Sequence, residues 1–303
     1  MRKNVERVRF IVVTDLDACL LDETYSWDAA RHAIRTLRLT GHSLVLNSSK
    51  TLPEMRQIAI ELETCSAIVG ENGSVVTPRG PDGMFSDAQT LGGSPFDMGD
   101  LQEELFILRE ELGLNFQTHR ELGAEGFADV TGLSIEQARL AIDRIGTVPL
   151  LVSSEEAKAE LVNVLNDNLV GYQATSGGRF VHVAPAGTNK AEGLRVVVNA
   201  YREEYPRDTV FSVALGDSDN DFEMLKAADI RVAIKNPNSG HSLRDKLEAD
   251  GLRVISNDQF GPVAWNTHMQ RLVQSVEGYV KPQPKANAPL IDRLYSPAAY
   301  PSR

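Results

Sequence analysis

Two pairs of aspartates stand where a chain could do chemistry. Asp15 and Asp17 follow a run rich in β-branched residues, Val8 to Val13, and Asp217 and Asp221 follow a second apolar run, Val210 to Leu215. Each run has the make-up of a buried strand, and each ends abruptly in acid. Carboxylates gathered away from water repel one another and lose hydration, so a cluster of them is costly unless a cation joins it. Magnesium would offset that cost, because it characteristically combines one or two carboxylates with water and substrate phosphate. Taken singly the pairs are weaker signals. Two aspartates two apart can simply open a surface turn, and Asp219, Asn220 and Asp221 can do no more than cap a helix.

Polar residues of other types stand at similar places. Ser43 to Leu46 runs into Asn47-Ser48-Ser49-Lys50, which sets a hydroxyl at Ser48 and an ammonium at Lys50 beside a strand end, although Ser48 can equally cap the next helix. Lys190 opens a helix after a loop containing Gly187. A lysine there opposes the positive end of the helix dipole, and a nearby anion would explain it. Ser176-Gly177-Gly178-Arg179 lies between two short strands. Its glycines allow close backbone approach and Arg179 can grip a carboxylate or phosphate with paired bonds, but an ordinary glycine hairpin with a solvated arginine reads the same way. His182 is as readily a packed strand residue as a ligand contact, and for Tyr25 and Trp27 packing is the preferred reading.

The elements that must position these groups alternate in type. Strands are expected at Val8 to Val13, Ser43 to Leu46, Ala67 to Val69, Ser74 to Thr77, Val210 to Leu215, Ile230 to Ile234 and Leu252 to Ile255. A helix begins at Thr51, with Pro53 and Glu54 as its start signals, and runs to about Leu62; another follows Asp219 with Phe222, Leu225 and Ala228 on one stripe. Alternation of this kind predicts an α/β fold, a doubly wound parallel sheet, whose ligands sit outside the carboxyl ends of the strands. Between about Gly83 and Pro185 the rhythm changes: helices at Asp100 to Leu112, Ser134 to Ile145 and Ser154 to Asp167, and strands at Val148 to Val152, Val170 to Thr175 and Phe180 to Ala184. The last two strands, joined across Ser176-Gly177-Gly178, read as a hairpin of an antiparallel sheet. Residues 84–184 are therefore expected to form an inserted α+β domain, residues 1–83 and 185–280 the main domain, and residues 281–303 a proline-rich tail.

Bulk properties bound the function. A chain of 303 residues, 42% of them hydrophobic, can bury a substantial core and exceeds the usual single domain. Its formal net charge of -11 argues against nucleic acid or an anionic membrane as partner, so an anionic substrate must be held by local cations. No stretch is long enough to cross a bilayer, and the apolar run near the start is cut short by Thr14 and Asp15, which argues against a signal peptide. Two cysteines, Cys19 and Cys65, cannot build a disulfide framework and suit a reducing cytoplasm.

The segments DLDACLLD, NSSKT, GTNKAEG and GDSDND, in this order, resemble the four motifs of the haloacid dehalogenase (HAD) phosphatases, and the insertion lies where the type-two cap of that superfamily lies. The resemblance reaches to about Ser275. Within the superfamily the chain looks most like the mannosyl-3-phosphoglycerate phosphatases, through ETYSWDAA, the glutamate and methionine after SSKT, GENG, VTGLS, SGGRF with a later histidine, and GPVAWN. The resemblance implies a Rossmann-like core with an inserted cap and a Mg2+-dependent phosphatase acting on a small phosphosugar. In it Asp15 is the nucleophile and Asp17 the acid and base, with Ser48 and Lys190 on the phosphoryl oxygens. Metal ligands would be Asp15, Asp217 and the backbone carbonyl of Asp17, with Asp221 beside them. Ser49, Lys50, Asn72, Ser176, Gly177, Gly178 and Arg179 would bind substrate. Glucosyl-3-phosphoglycerate, sucrose phosphate, a phosphosugar mutase reaction and a silent phosphosugar-binding relative are the alternatives. Ala18 and Cys19 replace the glycine and threonine usual after the second aspartate, and RIGTVP (Arg144 to Pro149) departs from the usual cap pattern.

Overall fold

A computed structural model describes residues 7–92, 97–237 and 242–276. The tail expected at 281–303 lies outside them. In chain order the first part is β1 (Val8–Thr14), α1 (Arg31–Thr40), β2 (Ser43–Asn47), α2 (Leu52–Glu61), β3 (Cys65–Gly70), β4 (Val75–Pro78) and β5 (Gln89–Thr90). Next come α3 (Met98–Leu112), β6 (Gln117–Thr118), α4 (His119–Thr131), α5 (Ile135–Ala141), β7 (Val148–Leu151), α6 (Glu155–Asn168), β8 (Tyr172–Gly177) and β9 (Phe180–Pro185). The chain then adds α7 (Lys190–Glu204), β10 (Thr209–Gly216), α8 (Phe222–Ala227), β11 (Ile230–Ala233), α9 (Leu243–Ala249) and α10 (Gly261–Val276).

The larger sheet has the order β11-β10-β1-β2-β3-β4-β5. Its first five members run parallel, and β4 and β5 are antiparallel additions at one edge. Successive side chains of a strand point to opposite faces, and β1 obeys this rule. Phe10 and Val12 pack with Leu37, Met55 and Trp265 from α1, α2 and α10, whereas Ile11 and Val13 pack with Leu194, Val198 and Met224 from α7 and α8. Both faces are covered, which is why β1 is apolar at consecutive positions.

The smaller sheet, β6-β7-β9-β8, is antiparallel throughout. Val148, Leu150, Val181 and Val183 bury one face against Leu101 and Leu105 of α3 and Leu161 and Leu165 of α6. Toward its other side Phe127 of α4 and Ala138 and Ala141 of α5 gather around Phe180.

Three expectations need correction. Leu252 to Ile255 is not a strand; it makes only an isolated bridge, Val232 to Ile255, because too few of its residues pair. The helix expected over Ser134 to Ile145 stops at Ala141 with Ile142 as its cap, since the following residues turn to meet Glu71. The hairpin turn falls at Gly178-Arg179, with Ser176 and Gly177 still inside β8. Helices α1, α4, α9 and α10 had no expectation at all.

Candidate active site

The carboxyl ends of neighbouring strands build the site. The chain runs from β1 outward to β3 and later returns to β10 on the other side of β1, so the strand order reverses there, and such a switch point opens a crevice. Thr14 is in register with Leu215, so Asp15 and Asp217 leave adjacent strands at the same edge. Lys190, the first residue of α7, reaches two carboxylates, those of Asp15 and Asp221. Its ammonium lies 2.8 Å from Asp15 Oδ1 and 2.6 Å from Asp221 Oδ1. Asn47, at the end of β2, donates to the Lys190 carbonyl at 2.8 Å and so fixes the start of α7.

Asp221 is fully buried and its second oxygen accepts from the amides of Asp217 and Ser218 at 3.1 and 3.2 Å. A Cβ on Gly216 would fall 2.4 Å from the Asp221 Cβ, so this position must be glycine for Asp221 to fold back on the strand end. The 3-10 turn Asp219–Asp221 is thus the cap of α8 and part of the site together. Asp219 itself pairs outward with Lys246 at 2.6 Å.

Electrostatics set these groups apart from ordinary carboxylates. Burial, then the charges of Asp15 and Asp221, push the Asp217 carboxyl up to about 8. Burial also raises Asp221, against the pull of Lys190. For Lys190 burial disfavours the charge, but Asp15 and Asp221 outweigh it and hold the ammonium above its ordinary value. One carboxylate oxygen each from Asp15, Asp217 and Asp221 lies within 4.8 Å of the others. Asn236 donates to Asp217 Oδ2 at 2.6 Å, while the buried Oδ1 has no hydrogen-bond partner among the described residues. A buried carboxylate oxygen left over in a cluster of like charges is what a hard cation with oxygen ligands would satisfy, so the donor set fits a divalent ion.

Beyond this cluster lies a cavity of about 630 Å³. Asp17, Ser49, Lys50, Asn72 and Lys190 line it from the larger sheet's side, and Ser176, Gly177, Gly178 and Arg179 from the hairpin. The expected substrate-binding residues therefore share one space. Asp15, Ser48, Asp217 and Asp221 are not in that lining. Ser48 is buried, with its Oγ accepting from the Lys50 amide at 3.3 Å. Asp17 pairs with Lys50 at 3.0 Å, and the Lys50 ammonium sits 4.9 Å from the Tyr25 ring centroid. Burial disfavours the Lys50 charge, but Asp17 and Glu54 more than compensate and raise its pKa.

Several contributors escaped the sequence reading. Asn236 follows β11, so the strand-end logic applied to the other strands would have found it. Lys158 of α6 is buried and donates to the Gly178 carbonyl at 2.6 Å, underpinning the hairpin turn. Phe127 and Phe180 line the cavity and stack at 5.1 Å, with no signal in sequence beyond being apolar. His182 also lines it; burial, then Arg144, lowers its pKa to about 3, so it is neutral at physiological pH.

The two unusual residues after Asp17, Ala18 and Cys19, have defined surroundings. The Cys19 sulfur lies 3.5 Å from Thr14 Oγ1, which accepts from Trp265 Nε1 at 3.0 Å. Burial, then Asp217 and Asp15, push the Cys19 thiol well up, so it stays protonated behind β1. Ala18 has φ of 55°, a conformation that favours glycine.

The chain belongs to the haloacid dehalogenase-like hydrolase family, which it matches over residues 12–91 and 127–241. Among named relatives, it is 30% identical over 281 residues to the glucosyl-3-phosphoglycerate/mannosyl-3-phosphoglycerate phosphatase of Methanococcoides burtonii, covering 88% of this chain and 98% of that one. The protein of the same name from Persephonella marina is 28% identical over 273 residues, again covering 88% and 98%. Among solved structures, a haloacid dehalogenase-like hydrolase from Bacteroides thetaiotaomicron superposes with a TM-score of 0.60 at 17% identity, over 87% of this chain and 99% of its own. The sucrose-phosphatase of Synechocystis, solved with sucrose and phosphate, does so with 0.52 at 14% identity, over 86% and 98%. These structures share the fold, a Rossmann-like core sheet with an added unit. Family and relatives agree with the enzyme class expected from the sequence, a phosphatase. No helix among the described residues is long and apolar enough to cross a membrane.

Proposed function

We propose that this protein is a magnesium-dependent phosphatase that releases phosphate from a glycosyl-3-phosphoglycerate, mannosyl or glucosyl. The observation that supports this most is a single cavity with Asp17 and Lys190 on one wall and Ser176 to Arg179 on the other. A phosphoryl group would occupy the first wall, and the carboxylate of a glyceric acid moiety would meet Arg179 and the open amides of the turn. The names of the two relatives point to the same substrates.

In this reading an Asp15 carboxylate oxygen attacks phosphorus as the bond to the sugar-acid oxygen breaks. Asp17 gives its proton to that departing oxygen. Asp17 then takes a proton from water, the water attacks the aspartyl phosphate, and inorganic phosphate leaves with the Asp15 carboxylate restored. Ser48 and Lys190 hydrogen-bond the phosphoryl oxygens, and Lys190 trades part of its hold on Asp15 for them. Asp15, Asp217 and the Asp17 carbonyl, with Asp221 beside them, would hold the magnesium ion, which when bound supplies charge neutralisation at the phosphoryl group.

Magnitudes explain the number of partners. A general acid contributes roughly 10² to 10⁴, whereas phosphate monoester hydrolysis can require a rate enhancement approaching ~10²¹. The balance must come from the nucleophile, the fixed charges and exclusion of water, and we assign the last task to residues 84–184 as a cap. Lys50 pairs with Asp17 until substrate arrives, and Asn72 and Ser49 border the phosphoryl end.

A phosphate-release screen tests the reading. Mannosyl- and glucosyl-3-phosphoglycerate, sucrose phosphate and simple hexose phosphates would be compared with magnesium present. The expected result is the highest kcat/KM on a glycosyl-3-phosphoglycerate; a hexose phosphate or sucrose phosphate preferred over both would overturn the substrate assignment.

A further inference from the structure

The turn after β3 does something the proposed chemistry does not use. Glu71 and Asn72 have φ of 52° and 57°, a left-handed conformation that asparagine tolerates but glutamate rarely adopts. Their amides donate to the carbonyls of Lys50 at 2.8 Å and Ser48 at 3.0 Å, so the turn is sewn to the loop that carries the phosphate-facing residues. The Glu71 side chain, wholly buried, then crosses to the segment between α5 and β7. It accepts from the amides of Ile145 at 3.0 Å and Gly146 at 3.2 Å and from the Thr147 hydroxyl at 2.7 Å, and Arg144 Nε lies 3.5 Å away. Arg144 also donates to Thr147 Oγ1 at 2.8 Å and to the Ser49 carbonyl at 3.0 Å.

We infer that Glu71 is a positioning residue, a clasp that fixes the substrate-reading wall against the phosphate-binding strand end. Arg144 and Thr147 line the cavity, and β7 pairs with β9, the strand that leaves the Gly178-Arg179 turn. Holding residues 144–147 therefore sets how far Arg179 stands from Lys190. A buried ion pair is a poor device for stability, because apolar groups of the same volume pack as well without the desolvation cost. Its strength is direction: three donors converge on one carboxylate, with the Arg144 guanidinium beside them, and admit one register. Gly146 is part of the fit, since a Cβ there would lie 2.6 Å from Val75 Cγ1 and 2.9 Å from Ser74 Cβ.

This inference rests on the proposed reading, in which the substrate spans both walls. Its test compares kcat and KM of the full chain and Glu71→Ala on two substrates, a glycosyl-3-phosphoglycerate and p-nitrophenyl phosphate. The small monoester needs only the phosphoryl end. A selective loss is expected: kcat/KM for the glycosyl-3-phosphoglycerate falls at least about tenfold, mainly through KM, and that for p-nitrophenyl phosphate stays within about twofold. Equal losses on both substrates, or none on either, would overturn the clasp. Should Glu71→Ala fail to fold, Gly146→Ala must give the same selective loss, and equal or absent losses there count against the clasp in the same way. A wild type that cleaves p-nitrophenyl phosphate but no glycosyl-3-phosphoglycerate sinks the substrate assignment instead, and the split is then read on the phosphosugar it does cleave.

Discussion

The two sides of the site, the carboxylate cluster behind Lys190 and the hairpin across the cavity, are built on opposite principles. On the larger sheet's side, Asp15, Asp217 and Asp221 beyond the ends of β1 and β10 are buried, as is Lys190 at the start of α7, whose ammonium pairs with Asp15 and Asp221. On the hairpin, Arg179 and Gly178 are exposed, and among the described residues Arg179 has no ion pair. Buried charge is expensive and therefore rigid, because no member can leave without stranding the others. Exposed charge costs little and can adapt to what arrives. In the proposed reading the first side would suit a fixed reaction and the second the recognition of a variable leaving group.

That contrast is broken most sharply at Lys190. Lys190→Met should lower kcat at least about 10³-fold and destabilise the fold by about 3–5 kcal/mol, the usual cost of stranding buried charges; chemical denaturation and phosphate release would check both. A variant with wild-type stability would mean the carboxylates are not held as described.

The next effect is on pH. Asp217 sits near 8 in the fold against about 3.9 in an unfolded chain, so over that interval the folded state binds the extra proton. In chelator, thermal stability should fall as pH rises from about 4 toward 8, and added magnesium should raise the melting temperature more at about pH 8 than at about pH 5. Stability in chelator that climbed with pH over this window would contradict the carboxylate cluster.

On the other wall Arg179→Ala should raise KM for a glycosyl-3-phosphoglycerate by about 10- to 100-fold, the loss of roughly 1.5–3 kcal/mol of charged hydrogen bonding, with kcat little changed. An unchanged KM would remove Arg179 from recognition. Smallest of all, Ala18→Gly relieves left-handed strain and should stabilise by no more than about 1 kcal/mol, with activity unaltered, as measured by denaturant unfolding.

The same division governs how much could be read in advance. β1, β2 and β10 were legible because buried parallel strands are short apolar runs, and because each ends abruptly in acidic or polar residues. Thr51 and Glu54 announced α2, and they form a reciprocal cap with bonds of 3.4 and 2.7 Å. The hairpin was found but set two residues early, since glycine can stand in a strand end as well as a turn. Helix α4 escaped because Gly123, at φ of 62°, breaks it and Gly126 weakens its pattern. Glu71 escaped for a different reason: its partners lie 74 to 76 residues away, and no local pattern reports a tertiary bond. RIGTVP, read as a departure from a pattern, is where that bond lands.

The central claim is that Asp15 accepts the phosphoryl group. Acid-quenching the enzyme during turnover with magnesium and mapping its peptides by mass spectrometry addresses it directly. The account predicts one phosphoryl group on the peptide that contains Asp15, absent from Asp15→Asn, which also ceases to turn over. Phosphate released at the wild-type rate by Asp15→Asn, or a phosphoryl group found on another residue, would contradict it.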